Sequence, residues 1–231
     1  MQEWTNVLTA VRVGGWVVYP LAILAVAAVA IILDRGYVFA RSGRLPASIR
    51  DAYQIAVPAA RMDWSARLSA VGEQNAFRRM SAPWAPDPHT PLWLREANAQ
   101  ALASRIERDM SRGFWVLETI VTAAPLLGLL GTIVGMMHSF QLFGGAGLVD
   151  PGGVTGGVAQ SLVATAIGLV VALFALFAFN YFSRRLERLM DELEAFANAR
   201  LGEARLAADG ISPEAVVEAG ASAHLEAGVQ A

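Results

Sequence analysis

The sequence predicts an all-α integral membrane protein with three transmembrane helices. Of its 231 residues, 55% are hydrophobic, which is too large a fraction for an ordinary soluble domain. Three apolar runs, 13–33, 119–137 and 154–182, contain 21, 19 and 29 residues. A helix needs roughly 20 residues to cross a bilayer core of about 30 Å. We therefore expect three spans, of which helices 2 and 3 are long and extend into the cytoplasm.

The first predicted span covers residues 13–33. Arg12 is the only basic residue before it, and no small-x-small cleavage site precedes polar sequence, so the run differs from a secretory signal peptide. Trp16 and Tyr19 lie near its start, where aromatic residues are typical of a membrane interface. We expect a transmembrane helix that is retained, preceded by a short external segment of residues 1–12.

The arginines predict the orientation of the spans. All eighteen basic residues are Arg: twelve lie between Asp34 and Leu117, five follow Phe182, one precedes the first span, and none separates the second span from the third. Because positively charged loops remain in the cytoplasm, the N-terminus is predicted outside and the C-terminus inside. Residues 34–117 then form a cytoplasmic helical domain, and residues 142–153 form an external loop.

The remaining segments follow from proline content and periodicity. Four prolines between residues 81 and 91 separate shorter pieces from an amphipathic helix that begins at Leu92, which we expect to run into the second span, 118–141. The third span, 154–183, is predicted to continue as a cytoplasmic helix extension over 184–206. Residues 207–231 are rich in Ala, Gly and Glu with little periodicity, which predicts a flexible tail.

Small residues interrupt the two later spans at helical spacing. Steps of three and four residues place them on one helix face, where they allow close packing in lipid. These helix-packing residues are Gly128, Gly131 and Gly135 in the second span and Gly157 and Gly168 in the third. Pro125, within the second span, predicts a bend that serves either packing or a hinge. We expect this hairpin to pack against other helices.

Several function classes are disfavoured by composition. The chain has no cysteine, and its three histidines are scattered without metal-ligand spacing. A net charge of −2 gives no argument for nucleic acid. His138 and Ser139 are adjacent, so on a helix they point about 100° apart, and no acidic residue accompanies them as in a hydrolase. We expect neither an enzyme nor a cofactor, a metal site or a nucleic-acid partner.

Two long motifs carry a family resemblance. Residues 118–136, ETIVTAAPLLGLLGTIVGM, and 156–169, GGVAQSLVATAIGL, resemble the MotA/TolQ/ExbB proton-channel family, and ExbB most closely. The first span is similar in GGWVVYP at 14–20 and LDR at 33–35. The resemblance covers the first span and about 105–201. Three spans favour the ExbB and TolQ branches over the MotA branch, whose members have four.

The resemblance implies an assembly in a bacterial inner membrane, which makes segments 1–12 and 142–153 periplasmic. It implies a homopentamer around a central pore, in contact with membrane lipids. The pore would hold a dimer of an ExbD-like single-span subunit and would couple proton entry to work on a TonB-like protein. A TolQ-like subunit of the Tol-Pal envelope system and a non-conducting membrane scaffold are the alternatives.

The candidate site residues combine the motifs with the polar groups of the spans. By resemblance, Thr132 and Thr165 occupy pore-facing positions, and we add Gln160 and Ser161 as pore-lining candidates of the proton pathway; simple packing is the alternative for a membrane Thr. ExbB commonly has Glu where this chain has Gln160, which cannot ionise. Glu118 marks the cytoplasmic mouth. Because no acidic group lies at mid-span, proton passage would require water or a partner's carboxylate.

Overall fold

The computed structural model describes residues 16–42, 68, 72–84, 90–141 and 151–210. In this part of the chain the regular structure is helical and contains no strand, which confirms the predicted all-α class. The helices are α1 (Val18–Ser42), α2 (Ala76–Ser81) with a following 3-10 turn (Ala82–Trp84), α3 (Leu92–Met110), α4 (Phe114–Gln141) and α5 (Pro151–Ala208). The predicted N-terminal segment 1–12, most of the loop 142–153 and most of the tail 207–231 lie outside the described residues.

Three helical stretches are long and apolar enough to cross a membrane, one formed by α1 and two that contain α4 and α5. Many of their large apolar side chains are exposed, among them Ile23, Leu126 and Phe174. In water such exposure would be costly, whereas lipid tails or neighbouring apolar helices accept these side chains. The chain is therefore a multi-pass membrane protein, as the apolar runs predicted.

The first of two compact units contains the described residues of Met1–Arg35 and Arg112–Arg184. Leu21 of α1 and Leu117 and Ile120 of α4 are fully buried in its core. The buried residues that α5 adds to this core are small, namely Ala172 and Ala175, while larger α5 residues such as Phe179 pack against it partly buried. Small side chains on α5 allow its backbone to approach the other two spans, so this unit is held by close packing of the three helices.

The second compact unit contains the described residues of Gly36–Ser111 and Arg185–Ala231. Asn75 caps α2, since its side-chain oxygen accepts a hydrogen bond of 3.0 Å from the Phe77 backbone N–H. The Phe77 ring packs edge to face against Phe196 of α5, with 6.1 Å between ring centroids. Arg79 and Asp109 form an ion pair of 3.0 Å. Apolar packing and polar contacts thus connect the helices of this unit.

The prediction that the amphipathic helix runs into the second span is wrong. α3 ends at Met110, and α4 begins at Phe114. Gly113 between them has a φ of 85°, in the left-handed region that ends an α-helix. Its carbonyl then accepts hydrogen bonds from the N–H groups of Val116 and Leu117, which start the next helix. Glycine tolerates this conformation because it has no Cβ.

Helix α5 is the longest element, with 58 residues. It begins at Pro151, a residue favoured in the first turn because its missing N–H would have no partner there. Its bounds contain both the predicted third span, 154–183, and the predicted extension, 184–206, with no interruption of helix.

Candidate functional site

Helices α4 and α5 meet through small residues in an antiparallel register. Three glycines of α4 each face a residue of α5 in descending order: Gly128 faces Thr165, Gly131 faces Ala164, and Gly135 faces Ser161. A Cβ added at these glycines would lie 2.8–3.0 Å from an atom of the facing residue. Any larger side chain would therefore force the helices apart, so the glycine spacing sets how closely the two spans pack.

Among the described glycines, an added Cβ would come closest to a backbone atom at Gly168. A Cβ there would lie 2.5 Å from the carbonyl oxygen of Ala124 and 3.2 Å from the Cα of Gly128. Pro125 follows Ala124 within α4 and supplies no N–H, so it removes one helical hydrogen bond close to this approach. α4 thus lacks one backbone hydrogen bond next to this close approach.

Gly157 and Ser139 close the opposite end of this interface. A Cβ on Gly157 would overlap the Ser139 hydroxyl, which donates a hydrogen bond of 2.9 Å to the Gly135 carbonyl. Ser139 is buried. Sequence reasoning considered this residue only as a rejected nucleophile. The signal that could have identified it is its place four residues beyond Gly135, in the same series of small residues.

Thr165 makes a hydrogen bond that crosses from α5 to α4. Its hydroxyl donates to the Gly128 carbonyl at 2.9 Å, and the side chain is half-buried. A helix carbonyl ordinarily accepts only from its own helix, so this bond ties α5 to the α4 backbone. The hydroxyl oxygen retains acceptor capacity for a further donor.

The other two hydroxyls among the predicted pore-lining residues bond within their own helices. Thr132 donates to the Leu129 carbonyl at 2.6 Å, and Ser161 donates to the Val158 carbonyl at 2.7 Å. Ser161 is buried at the α4–α5 interface, whereas Thr132 is half-buried. The structure therefore brings Ser161 and Thr165 to the seam between the spans and leaves Thr132 partly accessible on α4.

Polar residues form a stripe along α4. Glu118 and Thr122 are exposed, and Thr132 is half-buried; at 3.6 residues per turn the three lie within about 80° of arc. Leu129 lies on the same stripe and is exposed. The Glu118 carboxylate has no ion-pair partner in the described part of the chain. We call Glu118, Thr122, Leu129 and Thr132 the α4 stripe.

Gln160 lies in α5, within the motif that carries Ser161 and Thr165. Its side chain is outside the part of the chain that the structure describes, so its direction and contacts remain a prediction.

The chemistry available to this site is hydrogen bonding rather than titration. Between Thr119 and Phe182 the only acidic or basic side chains are Asp150 and His138, and neither is at mid-span. Among the described residues, no group of three or more His, Cys, Asp or Glu side chains could hold a metal ion. The hydroxyls can orient water or an incoming carboxylate, but they cannot pass a proton along by ionising.

Fold and site together define a class: a helical multi-pass membrane protein whose second and third spans meet through glycine-spaced seams lined with hydroxyl groups. Residues 65–195 match the MotA/TolQ/ExbB proton channel family. The chain belongs to this family, which confirms the resemblance of its two motifs.

Curated relatives agree with this assignment. The putative biopolymer transport protein ExbB-like 3 of Synechocystis sp. is 34% identical over 175 residues, covering 73% of this chain and 81% of the relative. ExbB-like 1 of the same organism is 32% identical over 193 residues, covering 79% and 72%. The biopolymer transport protein ExbB of Aquifex aeolicus is 33% identical over 103 residues, covering 43% of this chain and 70% of the relative.

Proposed function

We propose that this protein is an ExbB-type channel subunit of a proton-driven motor in a bacterial inner membrane. The observation that carries the proposal is the pairing of hydroxyl-bearing spans with the lack of any acidic group at mid-span. A proton path through hydrocarbon needs a titratable group or a continuous column of water. The hydroxyls of α4 and α5 can hydrogen-bond to a column of water or to a titratable group, provided that another protein supplies the carboxylate.

The surface of the spans supports assembly of several copies. The outward side chains of all three spans include large apolar groups, while the α4 stripe carries a carboxylate and two hydroxyls beside Leu129. In a ring, the apolar faces would contact lipid and neighbouring copies, and the α4 stripe would face the centre. We propose a homopentamer, with the N-terminus in the periplasm, around a dimer of an ExbD-like single-span partner that acts on a TonB-like protein.

The mechanism assigns different tasks to different residues. Thr165 ties α5 to α4 through its hydrogen bond, and Ser161 packs against Gly135 in the seam. The free acceptor capacity of the Thr165 hydroxyl would serve water or a protonated carboxyl group of the partner. Thr132 and Gln160 would contact water or the partner helix within the pore. Glu118 would attract protons and cations at the cytoplasmic mouth. None of these residues forms a covalent intermediate, and we propose a channel rather than an enzyme.

Proton flux into vesicles tests the proposal. The purified protein is reconstituted with and without its single-span partner, and internal acidification is followed with an entrapped pH dye under an imposed membrane potential. We expect flux only when both proteins are present and loss of flux when the partner's membrane carboxylate is changed to an amide. Equal flux without the partner would contradict the need for an external carboxylate.

A non-conducting scaffold is the second candidate, because the lack of titratable mid-span groups is also compatible with a protein that only holds partner helices. Absence of flux in vesicles that contain the intact, stably assembled complex would establish the scaffold and overturn the channel. Complementation separates the ExbB-like from the TolQ-like role. Rescue of TonB-dependent uptake supports the former, whereas rescue of envelope integrity alone in a Tol-Pal mutant supports the latter.

A further inference from the structure

A cavity of about 370 Å³ lies at one end of the first span. It is lined by Ile31, Asp34, Arg35, Arg112 and Gly113, all of which belong to the first compact unit. The cavity therefore lies between the end of the apolar part of α1 and the start of α4. None of its residues belongs to the site proposed for proton passage, so the inference below does not depend on that function.

The charges around this cavity do not balance. Arg35 is 8% exposed, and the Nε and Nη2 atoms of its guanidinium donate to the same Asp34 oxygen at 2.9 and 2.5 Å. Arg112 is exposed and forms no salt bridge with any described residue. The residues that line the cavity thus include two arginines and one carboxylate, a net charge of +1, and Arg112 holds its charge on the exposed side. This excess of positive charge attracts an anion.

The adjoining helix end adds to this positive potential. α4 begins at Phe114, directly after Gly113, and has no acidic residue in its first turn. The start of a helix carries about half a positive elementary charge, and its N–H groups point toward an anion placed there. Gly113 cannot supply a side-chain cap. The helix dipole and the two arginines therefore act on the same space.

The position of the cavity along the spans indicates the source of the anion. Ile31 belongs to the apolar run that ends at Leu33, and charged residues follow at once. Trp115 and Tyr37, near the ends of the two helices, are exposed, as is typical of aromatic residues at the headgroup level. The cavity thus lies where hydrocarbon gives way to lipid headgroups, and the abundant anion at that depth is a lipid phosphate.

We propose that this cavity binds the phosphate group of an anionic phospholipid, with Arg35 and Arg112 as its hydrogen-bond donors. Guanidinium groups suit phosphate because their N–H groups form a planar fork that matches two phosphate oxygens. Ile31 would contact the start of the acyl chains. A soluble phosphate ion can form the same hydrogen bonds but has no acyl chain. The test therefore includes competition between the phospholipid and inorganic phosphate.

Native mass spectrometry of the full-length protein in detergent tests the proposal. The protein is titrated with phosphatidylglycerol or with phosphatidylcholine of the same acyl chains, and the retained lipid is counted. Arg112→Gln should lower phosphatidylglycerol retention about fivefold, as expected for one basic residue near a membrane surface, and leave phosphatidylcholine unchanged. Arg108→Gln is the matched control: it removes an exposed arginine four residues away, outside the cavity. Equal losses in the two variants would overturn the proposal.

A second variant distinguishes loss of the site from loss of folding. Asp34→Asn removes the negative charge that pairs with Arg35 and lines the cavity, so phosphatidylglycerol retention should rise. Misfolding would lower phosphatidylglycerol retention. Unchanged or lower retention in a folded variant contradicts the assignment of the cavity as a lipid site. Inorganic phosphate is then added in excess to the wild-type complex. Little displacement supports the lipid, whereas complete displacement identifies a soluble anion as the occupant and overturns the lipid source.

Discussion

Thr165 is the residue at which helix packing and polar chemistry coincide. Its hydroxyl spans the α4–α5 seam to the Gly128 carbonyl, and the same oxygen can accept one more hydrogen bond. A role in the pore and a role in packing are therefore not exclusive at this position. Loss of the packing role lowers stability, whereas loss of the pore role lowers proton flux. The two roles can therefore be separated by experiment.

Thr165→Val keeps the volume of the side chain and removes its hydrogen bonds. We expect a loss of stability of about 0.6–1 kcal/mol, the usual magnitude of an interhelical hydrogen bond in a membrane protein. We also expect a marked fall in proton flux when the partner is present. Thermal unfolding in detergent and the vesicle assay measure the two effects separately.

Two further threonine variants serve as controls. Thr165→Ser retains the hydroxyl and should restore most of the flux. Thr119→Val removes a hydroxyl that is exposed and bonds only to the Trp115 carbonyl of its own helix, so flux should stay normal. Wild-type flux in Thr165→Val at normal expression would remove this residue from the pathway.

Gln160→Glu tests whether this position needs a polar group or a neutral one. If the side chain only forms hydrogen bonds, Glu should be tolerated and TonB-dependent uptake should remain near the wild-type level, because the two side chains have the same size. Gln160→Leu removes the hydrogen bonding and should reduce uptake. Loss of coupling in Gln160→Glu would show that a neutral side chain is required here.

The candidate residues differ in how far their sequence context could place them. Thr165 and Ser161 lie four residues apart, a spacing that put both on the glycine-bearing face before any contact was known. The choice of acceptor could not be predicted, because a threonine hydroxyl can bond its own helix, as Thr132 does, or a neighbouring one. The cavity at Arg35 and Arg112 could not be predicted either, since 76 residues separate the two arginines and only tertiary packing brings them to one place.

At the scale of elements, the α4–α5 pair depends on the approach at Gly168. Gly168→Ala would place a methyl group 2.5 Å from the Ala124 carbonyl oxygen, so the helices must separate. We expect destabilisation of about 1–3 kcal/mol, as for other overpacked sites, together with loss of flux. The midpoint of thermal unfolding in detergent measures the first effect.

Gly156→Ala provides the matched control on the same helix. An added Cβ there meets no atom within 4 Å, so this variant should leave stability unchanged or raise it by up to about 1 kcal/mol. Similar destabilisation in the two variants would mean that glycine itself, rather than close packing at Gly168, governs the stability of α5.

The junction between α3 and α4 depends on Gly113. Gly113→Ala forces an L-residue to adopt a φ of 85° and brings its Cβ to 3.2 Å from the Ile31 side chain. We expect a loss of about 1–2 kcal/mol from the backbone conformation. Gly36→Ala in α1, where an added Cβ meets no neighbour, should not destabilise. Far-UV circular dichroism during heating distinguishes the pair; equal unfolding midpoints would contradict the role of the left-handed conformation.

Apolar length made the three spans predictable, because only a helix satisfies its own backbone across a bilayer. The junction at Gly113 was not predicted, since a single glycine between two strongly helical segments is a weak signal. The α4–α5 register was also beyond the sequence: the spacing identifies the faces that meet, but several offsets would bring small residues together. The selected offset places Gly168 against Ala124 and Gly157 against Ser139.

At the scale of the whole molecule, the exposed surfaces of the spans differ in whether they would contact water or lipid. The α4 stripe and the outward face of α1 are both accessible in a single chain, although one bears hydroxyls and a carboxylate and the other bears apolar groups. Assembly into a ring would enclose the α4 stripe and leave the outward face of α1 in contact with lipid. Reactivity toward a water-soluble reagent distinguishes these environments.

The absence of cysteine from the chain makes this measurement direct, because any introduced cysteine is the sole thiol. We expect Thr132→Cys in the assembled complex to react with a charged, membrane-impermeant thiol reagent. Val26→Cys, at an exposed apolar position of α1, should react at least about tenfold more slowly, because a thiol in hydrocarbon is not ionised and the reagent does not enter lipid. Occupation of the ring by the partner should slow Thr132→Cys and leave Val26→Cys unchanged. If the two thiols reacted at equal rates, with and without the partner, the α4 stripe would not line a water-filled centre, and the proton path would have to lie elsewhere.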